Sequence, residues 1–252
     1  MIRSKTLLTL ALGLSLPALT HSYPLNGYGD TGIRRLEASR LAHEGKIPGP
    51  KQPAGALLGT AQVDLRLLDQ RDLELPLPDP EFSEQIKALL GDHAANYGIA
   101  VLDLSDPKRP RYAEHRGDHK QNVGSVGKLI VGLAVFQALA DIWPDPAARK
   151  RQLRETMVIA DAFSQRDHHT VRKFDVDTRK LTRSPIAVGD RATLWEYLDW
   201  MLSVSSNSAA AMTMREAMLI RQYGQDYPPP EQEIQRFFKE TPAKELTELF
   251  QR

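Results

Sequence analysis

Apolar and polar positions split this chain into a lead-in with little rhythm and a well-patterned remainder. Residues 7–16 form an apolar run, Leu7-Leu8-Thr9-Leu10-Ala11-Leu12-Gly13-Leu14-Ser15-Leu16, which Pro17 breaks. Over 33–43, Leu36 and Leu41 recur among Arg and Glu with helical spacing. Gly45, Pro48, Gly49, Pro50, Pro53 and Gly55 then read as irregular backbone. Residues 63–68 alternate well enough for a short strand, which Pro76, Pro78 and Pro80 end. An amphipathic helix is predicted over 81–90, closed by Gly91. Tyr97-Gly98-Ile99-Ala100-Val101-Leu102-Asp103-Leu104 reads as a strand, Ser105-Asp106-Pro107-Lys108 as a turn and 111–115 as a second strand, which gives a hairpin.

After Gly124 the pattern becomes helical. Residues 126–140 are strongly apolar and free of proline. Leu129, Val131, Leu133, Val135, Leu139 and Ala140 cover more than one face, so this helix is expected in the middle of a core. Residues 147–162 are helical in pattern. Arg166-Asp167-His168-His169 and Asp175-Val176-Asp177 are polar and read as loops. Gly189 and Asp190 lead into a helix predicted over 193–202. Ser203-Val204-Ser205-Ser206-Asn207-Ser208 stops it, and an Ala-rich helix over 209–219 follows at once. Pro228-Pro229-Pro230 breaks the chain again, before short helical segments over 231–238 and 243–250.

Composition adds bounds. The 252 residues are 41% hydrophobic and 26% charged, enough for one sizeable core and unlike a disordered chain. A net charge of +1 gives no long-range pull toward nucleic acid or an anionic membrane. The basic run Lys108-Arg109-Pro110-Arg111 lies beside Asp103 and Asp106 and reads as a solvated turn. Arg3 and Lys5 precede the apolar run, and Thr20-His21-Ser22 offers small residues at the positions a signal peptidase reads. Residues 1–22 are therefore expected to be a signal peptide, and the location periplasmic or secreted. The run is too short to span a bilayer comfortably, so no stable membrane anchor is expected. The absence of Cys excludes disulfides, a thiolate nucleophile and a Cys-based zinc site. Residues 23–80 are expected to form an extension or cap, and 81–252 the main domain.

Two serine motifs carry candidate chemistry. In Ser125-Val126-Gly127-Lys128, the serine and the lysine share a face of the helix they open. A serine hydroxyl is a weak nucleophile until a base takes its proton. An amine can be that base if burial or a neighbouring charge lowers its pKa. Leu129-Ile130-Val131 follows, so an apolar setting for Lys128 is expected. Taken alone, the motif is a weak signal, and its plainer reading is an N-cap followed by a solvated lysine. In the second, Ser205-Ser206-Asn207, a hydroxyl and a carboxamide share one tight connection between helices. Ser205 could relay a proton, and Asn207 could orient Lys128 and bond a substrate amide. The plainer alternative is helix capping by Ser205 or Ser206, which is compatible with both roles.

Together, in this order and at helix boundaries behind a hairpin, the motifs resemble the class A β-lactamase and penicillin-binding protein superfamily. Asn122-Val123-Gly124-Ser125-Val126-Gly127-Lys128-Leu129 is similar to the family's nucleophile motif, and Ser205-Ser206-Asn207-Ser208-Ala209-Ala210 to its Ser-x-Asn motif, with Ser206 where class A enzymes commonly have Asp. The strand over 97–104 resembles the first sheet strand, and the resemblance covers roughly 80–220. It implies an α+β fold, a helical subdomain with part of an antiparallel sheet. It also implies acyl transfer on a β-lactam or a D-Ala-D-Ala-type amide. By position Ser125 is the nucleophile, with its own N–H half of an oxyanion hole; Lys128 is the base or its partner, Ser205 the relay and Asn207 the substrate-binding amide. No cofactor or metal is implied, and a monomer acting on a small-molecule substrate is expected.

The pattern also departs from the family. No Lys is followed by Thr-Gly or Ser-Gly, the third motif, and 45 residues follow Asn207, so a truncated frame lacking the C-terminal strands is expected. The deacylating carboxylate is not identifiable: Glu240 and Glu245 lie in the general region without the family's context. Eighty residues separate Ser125 from Ser205, which points to an insertion within 145–190. A D,D-peptidase or esterase on the same scaffold stays open, as does an inactive cell-wall-associated binding protein. A metal site from His168, His169, Asp175 and Asp177 is disfavoured because the spacing matches no zinc hydrolase signature. Trp195, Tyr197 and Trp200 read as packing residues.

Overall fold

The computed structural model describes residues 26–51, 53, 67, 70, 72–120, 122–164 and 167–251. The expected leader over 1–22 lies outside the described residues, as does the strand over 63–68 apart from Leu67, which is in a turn. The first elements are a one-turn helix α1 (Gly27–Thr31) and α2 (Arg34–His43). Ala38 and Leu41 of α2 pack against Phe174. Two ion pairs fasten this segment to residues far along the chain. Arg34 donates Nε and Nη2 to Glu196, and Arg35 grips Asp199 with Nε and Nη2.

Helix α3 (Pro80–Leu90) begins one residue before the predicted span. The Asp79 carboxylate accepts from the Phe82 N–H at 3.0 Å, Pro80 takes the first helical position, and Gly91 ends the helix at φ 51°. Strands β1 (Ile99–Asp103) and β2 (Arg111–His115) form the expected antiparallel hairpin, with Ile99 opposite His115 and Asp103 opposite Arg111. α3 lies against it, with Ser83 Oγ accepting from the Glu114 N–H at 3.1 Å. A parallel bridge from Pro78 to Tyr112 continues the hairpin by one pair.

The main core is helical. α4 (Lys128–Ile142) contributes Val131, Val135, Ala138 and Leu139 to it. The facing side chains come from α6 (Leu194–Ser203) and α7 (Asn207–Tyr223), among them Tyr197, Leu198, Met201, Met212 and Leu219. Tyr197 and Trp200 are buried and meet edge to face at 5.3 Å. Between α4 and α6 run α5 (Pro146–Glu155), β3 (Met157–Ile159), the hairpin β4 (Val171–Phe174) and β5 (Leu181–Ser184), and β6 (Arg191–Thr193). β3 pairs with β6 and β4 with β5, both antiparallel. After Pro228-Pro229-Pro230 come α8 (Glu231–Glu240) and α9 (Ala243–Gln251). The fold is α+β, as the family resemblance implied.

Two expectations are corrected. The helix predicted over 147–162 stops at Glu155, because Thr156 is extended and Met157-Val158-Ile159 pairs with β6. Two of those three residues are β-branched and favour an extended chain. The helix over 126–140 is not surrounded by core. Its 131, 135, 138, 139 stripe faces α6 and α7, whereas Leu129, Ile130 and Leu133 are 57–63% exposed. Apolarity is a property of composition; only tertiary contacts decide which faces are covered. With its preceding turn this helix is long and apolar enough, by length and composition, to cross a membrane, but its inner stripe is packed on protein.

Buried charge braces α7 in the core. Arg215 is 2% exposed and pairs with Glu216 and Asp161, and Tyr227 donates to the other Glu216 oxygen at 2.7 Å. Burial, then the Glu216 charge, pushes the Tyr227 hydroxyl well above its ordinary pKa, which keeps it a donor.

Gly132 sits inside α4, where a Cβ would meet only the Met201 Cε at an ordinary 3.8 Å. Gly132→Ala is expected to raise stability by about 0.5–1 kcal/mol, read as a higher denaturant midpoint at unchanged slope.

Candidate active site

The turn that carries Ser125 is shaped locally. The Asn122 carboxamide oxygen accepts from the Gly124 N–H at 2.8 Å, and Gly124 takes φ 53°, open to glycine without strain. A 3-10 turn, Gly124–Gly127, then runs directly into α4, which begins at Lys128. Residues three apart nearly eclipse in such a turn, so Ser125 and Lys128 are stacked. The Ser125 N–H lies in this first turn, where a helix provides its own N–H groups with no acceptor.

The second motif is built as a hinge between helices. α6 ends at Ser203, Ser205 adopts a left-handed φ of 59°, and Ser206 is the N-cap of α7, its Oγ accepting from the Ala209 N–H at 3.1 Å. The Ser206 N–H donates back to the Trp200 carbonyl at 3.2 Å. Asn207 is the first helical residue of α7.

Packing of α7 on α4 brings the two motifs together. Lys128 Nζ lies 3.2 Å from Ser125 Oγ, 2.9 Å from Ser205 Oγ and 2.7 Å from Asn207 Oδ1, and it also donates to the Ser205 carbonyl. Ser205 Oγ donates to Ser125 Oγ at 2.9 Å. A protonated lysine has three hydrogens for these four oxygens. The longest contact, to Ser125 Oγ, is the one that can reverse, with the serine hydroxyl donating to a neutral amine. Ser125 and Asn207 are exposed and Lys128 is buried, so an incoming molecule meets the hydroxyl first. The apolar setting expected for Lys128 is corrected. Leu129 and Ile130 point to solvent, and the amine sits among oxygens, because the partners that bury it come from 77 and 79 residues away.

Sequence reasoning left one functional candidate in a loop. The Asp167 side chain, 1% exposed, accepts from Ser206 Oγ at 2.7 Å and from the Ser208 N–H at 2.9 Å. It also accepts from the His169 N–H at 3.0 Å and from His169 Nδ1 at 2.6 Å. Burial disfavours its charge, but the Ser208 and His169 amides and the two side chains outweigh burial and hold the carboxyl far below the usual range. A carboxylate so placed also suits the N-terminus of α7. Among the described residues the grouping of metal-type donors is Asp167, His168 and His169, within 4.8 Å of one another. Both Asp167 oxygens and His169 Nδ1 are already spent on these hydrogen bonds. Asp175 and Asp177 are in the β4–β5 turn, where Asp175 Oδ1 accepts from the Asp177 and Thr178 amides. Glu240 and Glu245 are exposed on α8 and α9, and the hydrogen bonds on Ser125 Oγ come from Lys128 and Ser205.

The sequence model of the beta-lactamase enzyme family matches residues 81–244, about two-thirds of the chain. The chain belongs to the beta-lactamase enzyme family. The matched span holds both serine motifs, the hairpin and the helical core. No curated protein and no solved structure matches. Membership makes the matched region a hydrolase domain of beta-lactamase type.

The pH dependence of this beta-lactamase-family domain follows from Asp167. A carboxyl whose folded pKa is depressed stabilises above its unfolded pKa, near 4, and loses that contribution as pH falls through and below it. The difference in thermal midpoint between the parent and Asp167→Asn is therefore expected to be largest above pH 5 and to narrow toward pH 3. Thermal melts at several pH values measure it.

Proposed function

We propose that this protein is an exported serine acyl-transfer enzyme acting on a β-lactam or a D-Ala-D-Ala-type amide. The observation that carries the reading is the contact of one buried amine, Lys128 Nζ, with Ser125, Ser205 and Asn207 at once. Ser125 Oγ attacks the substrate carbonyl carbon while Lys128 takes the hydroxyl proton. The Ser125 N–H donates to the developing oxyanion. When the C–N bond breaks, Ser205 passes a proton from Lys128 to the leaving nitrogen, a role suited to its 2.9 Å contacts with Lys128 Nζ and with Ser125 Oγ, where the substrate is attached. Asn207 is exposed and can use its amide N–H to hold a substrate carbonyl while its oxygen holds Lys128. Water would then cleave the ester and restore the serine.

A persistent acyl-enzyme is favoured over rapid turnover, because among the described residues the groups bonded to Ser125 Oγ are an amine and a hydroxyl, neither of them a carboxylate that could activate water. The chain would then behave as a penicillin binder more than as a fast lactamase.

Intact-mass spectrometry with a fluorescent penicillin tests this. The parent should gain the mass of one whole penicillin and keep it after excess reagent is removed. Ser125→Ala should gain none. Lys128→Ala should acylate on the order of 10²–10⁴-fold more slowly. Equal labelling of parent and Ser125→Ala would reject the assignment.

A further inference from the structure

The loop that presents Ser205 and Asn207 to Lys128 is built against its own backbone preference. Ser205 holds a left-handed φ of 59°, a region that side chains with a Cβ disfavour. Such a residue persists only where its flanks over-determine it. Ser206, inside this loop, and Ser208, just after it, are buried at 0% and 1% exposure, and both are held by one segment of chain. Asp167 takes Ser206 Oγ and the Ser208 N–H on a single oxygen, Oδ2, and the Ser164 carbonyl accepts from Ser208 Oγ. Further along α7 the same stretch pairs Asp161 with Arg215. The loop is thus fixed from outside, by residues that precede it by about 40 positions. His169 closes the arrangement by engaging the other Asp167 oxygen with its N–H and Nδ1.

We propose that Asp167 is a positioning residue: it sets the Ser205–Asn207 loop so that Ser205 Oγ and Asn207 Oδ1 reach Lys128, and so fixes the rate at which Ser125 is acylated. This rests on the acyl-transfer reading above, but its structural half stands apart from it. Asp167 touches neither Ser125 nor Lys128, so it acts through Ser206 and Ser208. Its carboxylate does what a neutral side chain of equal shape cannot, since both oxygens must accept, Oδ2 from Ser206 and Ser208 and Oδ1 from His169, and an Asn would turn an NH2 donor toward one of those pairs.

The test uses the full chain, with Asp167→Asn beside the reciprocal exchange Asp167→Ser with Ser206→Asp, which keeps a hydroxyl-to-carboxylate bond with its direction reversed. Two readings are taken: the limiting rate of acylation by a fluorescent penicillin, and hydrogen–deuterium exchange of amides 206–209 against those in α4. Asp167→Asn should slow limiting acylation at least tenfold and speed exchange of 206–209 at least tenfold, with α4 still protected. The reciprocal exchange should recover most of both, and it decides the question in the same way if the single variant does not fold. Parent-like acylation and exchange in Asp167→Asn would overturn the proposal. So would faster exchange spread evenly over α4 and 206–209, which marks a merely structural role, or a folded reciprocal variant that recovers neither reading. A parent that takes no label would refute the acyl-transfer reading alone; the local exchange comparison would still decide whether Asp167 holds the loop.

Discussion

Lys128 ends in a buried amine, and a buried amine must have oxygen partners or it costs the fold several kcal/mol. The turn that runs into its own helix supplies one, Ser125 Oγ; the other three come from Ser205 and Asn207. The N-terminus of α4 and the loop before α7 therefore cannot move apart without stranding that amine. The apolar stripe of α4 against α6 and α7 sets the distance, and the amine sets the register at the end where chemistry is possible.

The surrounding polar structure is arranged in support. The carboxylate of Asp167 pins the flank of the loop, and the pair of Arg215 with Asp161 and Glu216 braces α7 from the core side. On the opposite side of α6, Glu196 serves two ends at once. It completes the capping box with Thr193 and receives Arg34. The contacts of Asp167 with Ser206, of Asp161 with Arg215 and of Glu196 with Arg34 span 39, 54 and 162 residues of sequence, so the site is a product of tertiary packing as much as of its two short motifs.

That division explains what could be read beforehand. Ser125, Lys128, Ser205 and Asn207 were legible because the motifs are local, lie at helix boundaries and resemble a family whose model matches this chain. The α3 helix and the β1–β2 hairpin were legible because the amphipathic rhythm over 81–90, Gly91 and the turn before Arg111 are local signals. β3 and β6 escaped because each is three residues long and is a strand only through the other. The hairpin of β4 and β5 was hidden in a polar stretch, with Asp175 shaping its turn. The exposed face of α4 could not be foreseen from composition, and Asp167 could not be told from any solvated loop acid until Ser206 and Ser208 were placed beside it.

The proposed acyl transfer depends on the amine of Lys128 equipping Ser125 to form an acyl bond. Proteolysis of the penicillin-treated protein followed by peptide mass spectrometry tests that most directly. The account predicts that the adduct maps to the peptide containing Ser125. An adduct on Ser205 or on any other residue of the folded protein, with the Ser125 peptide unmodified, would contradict it.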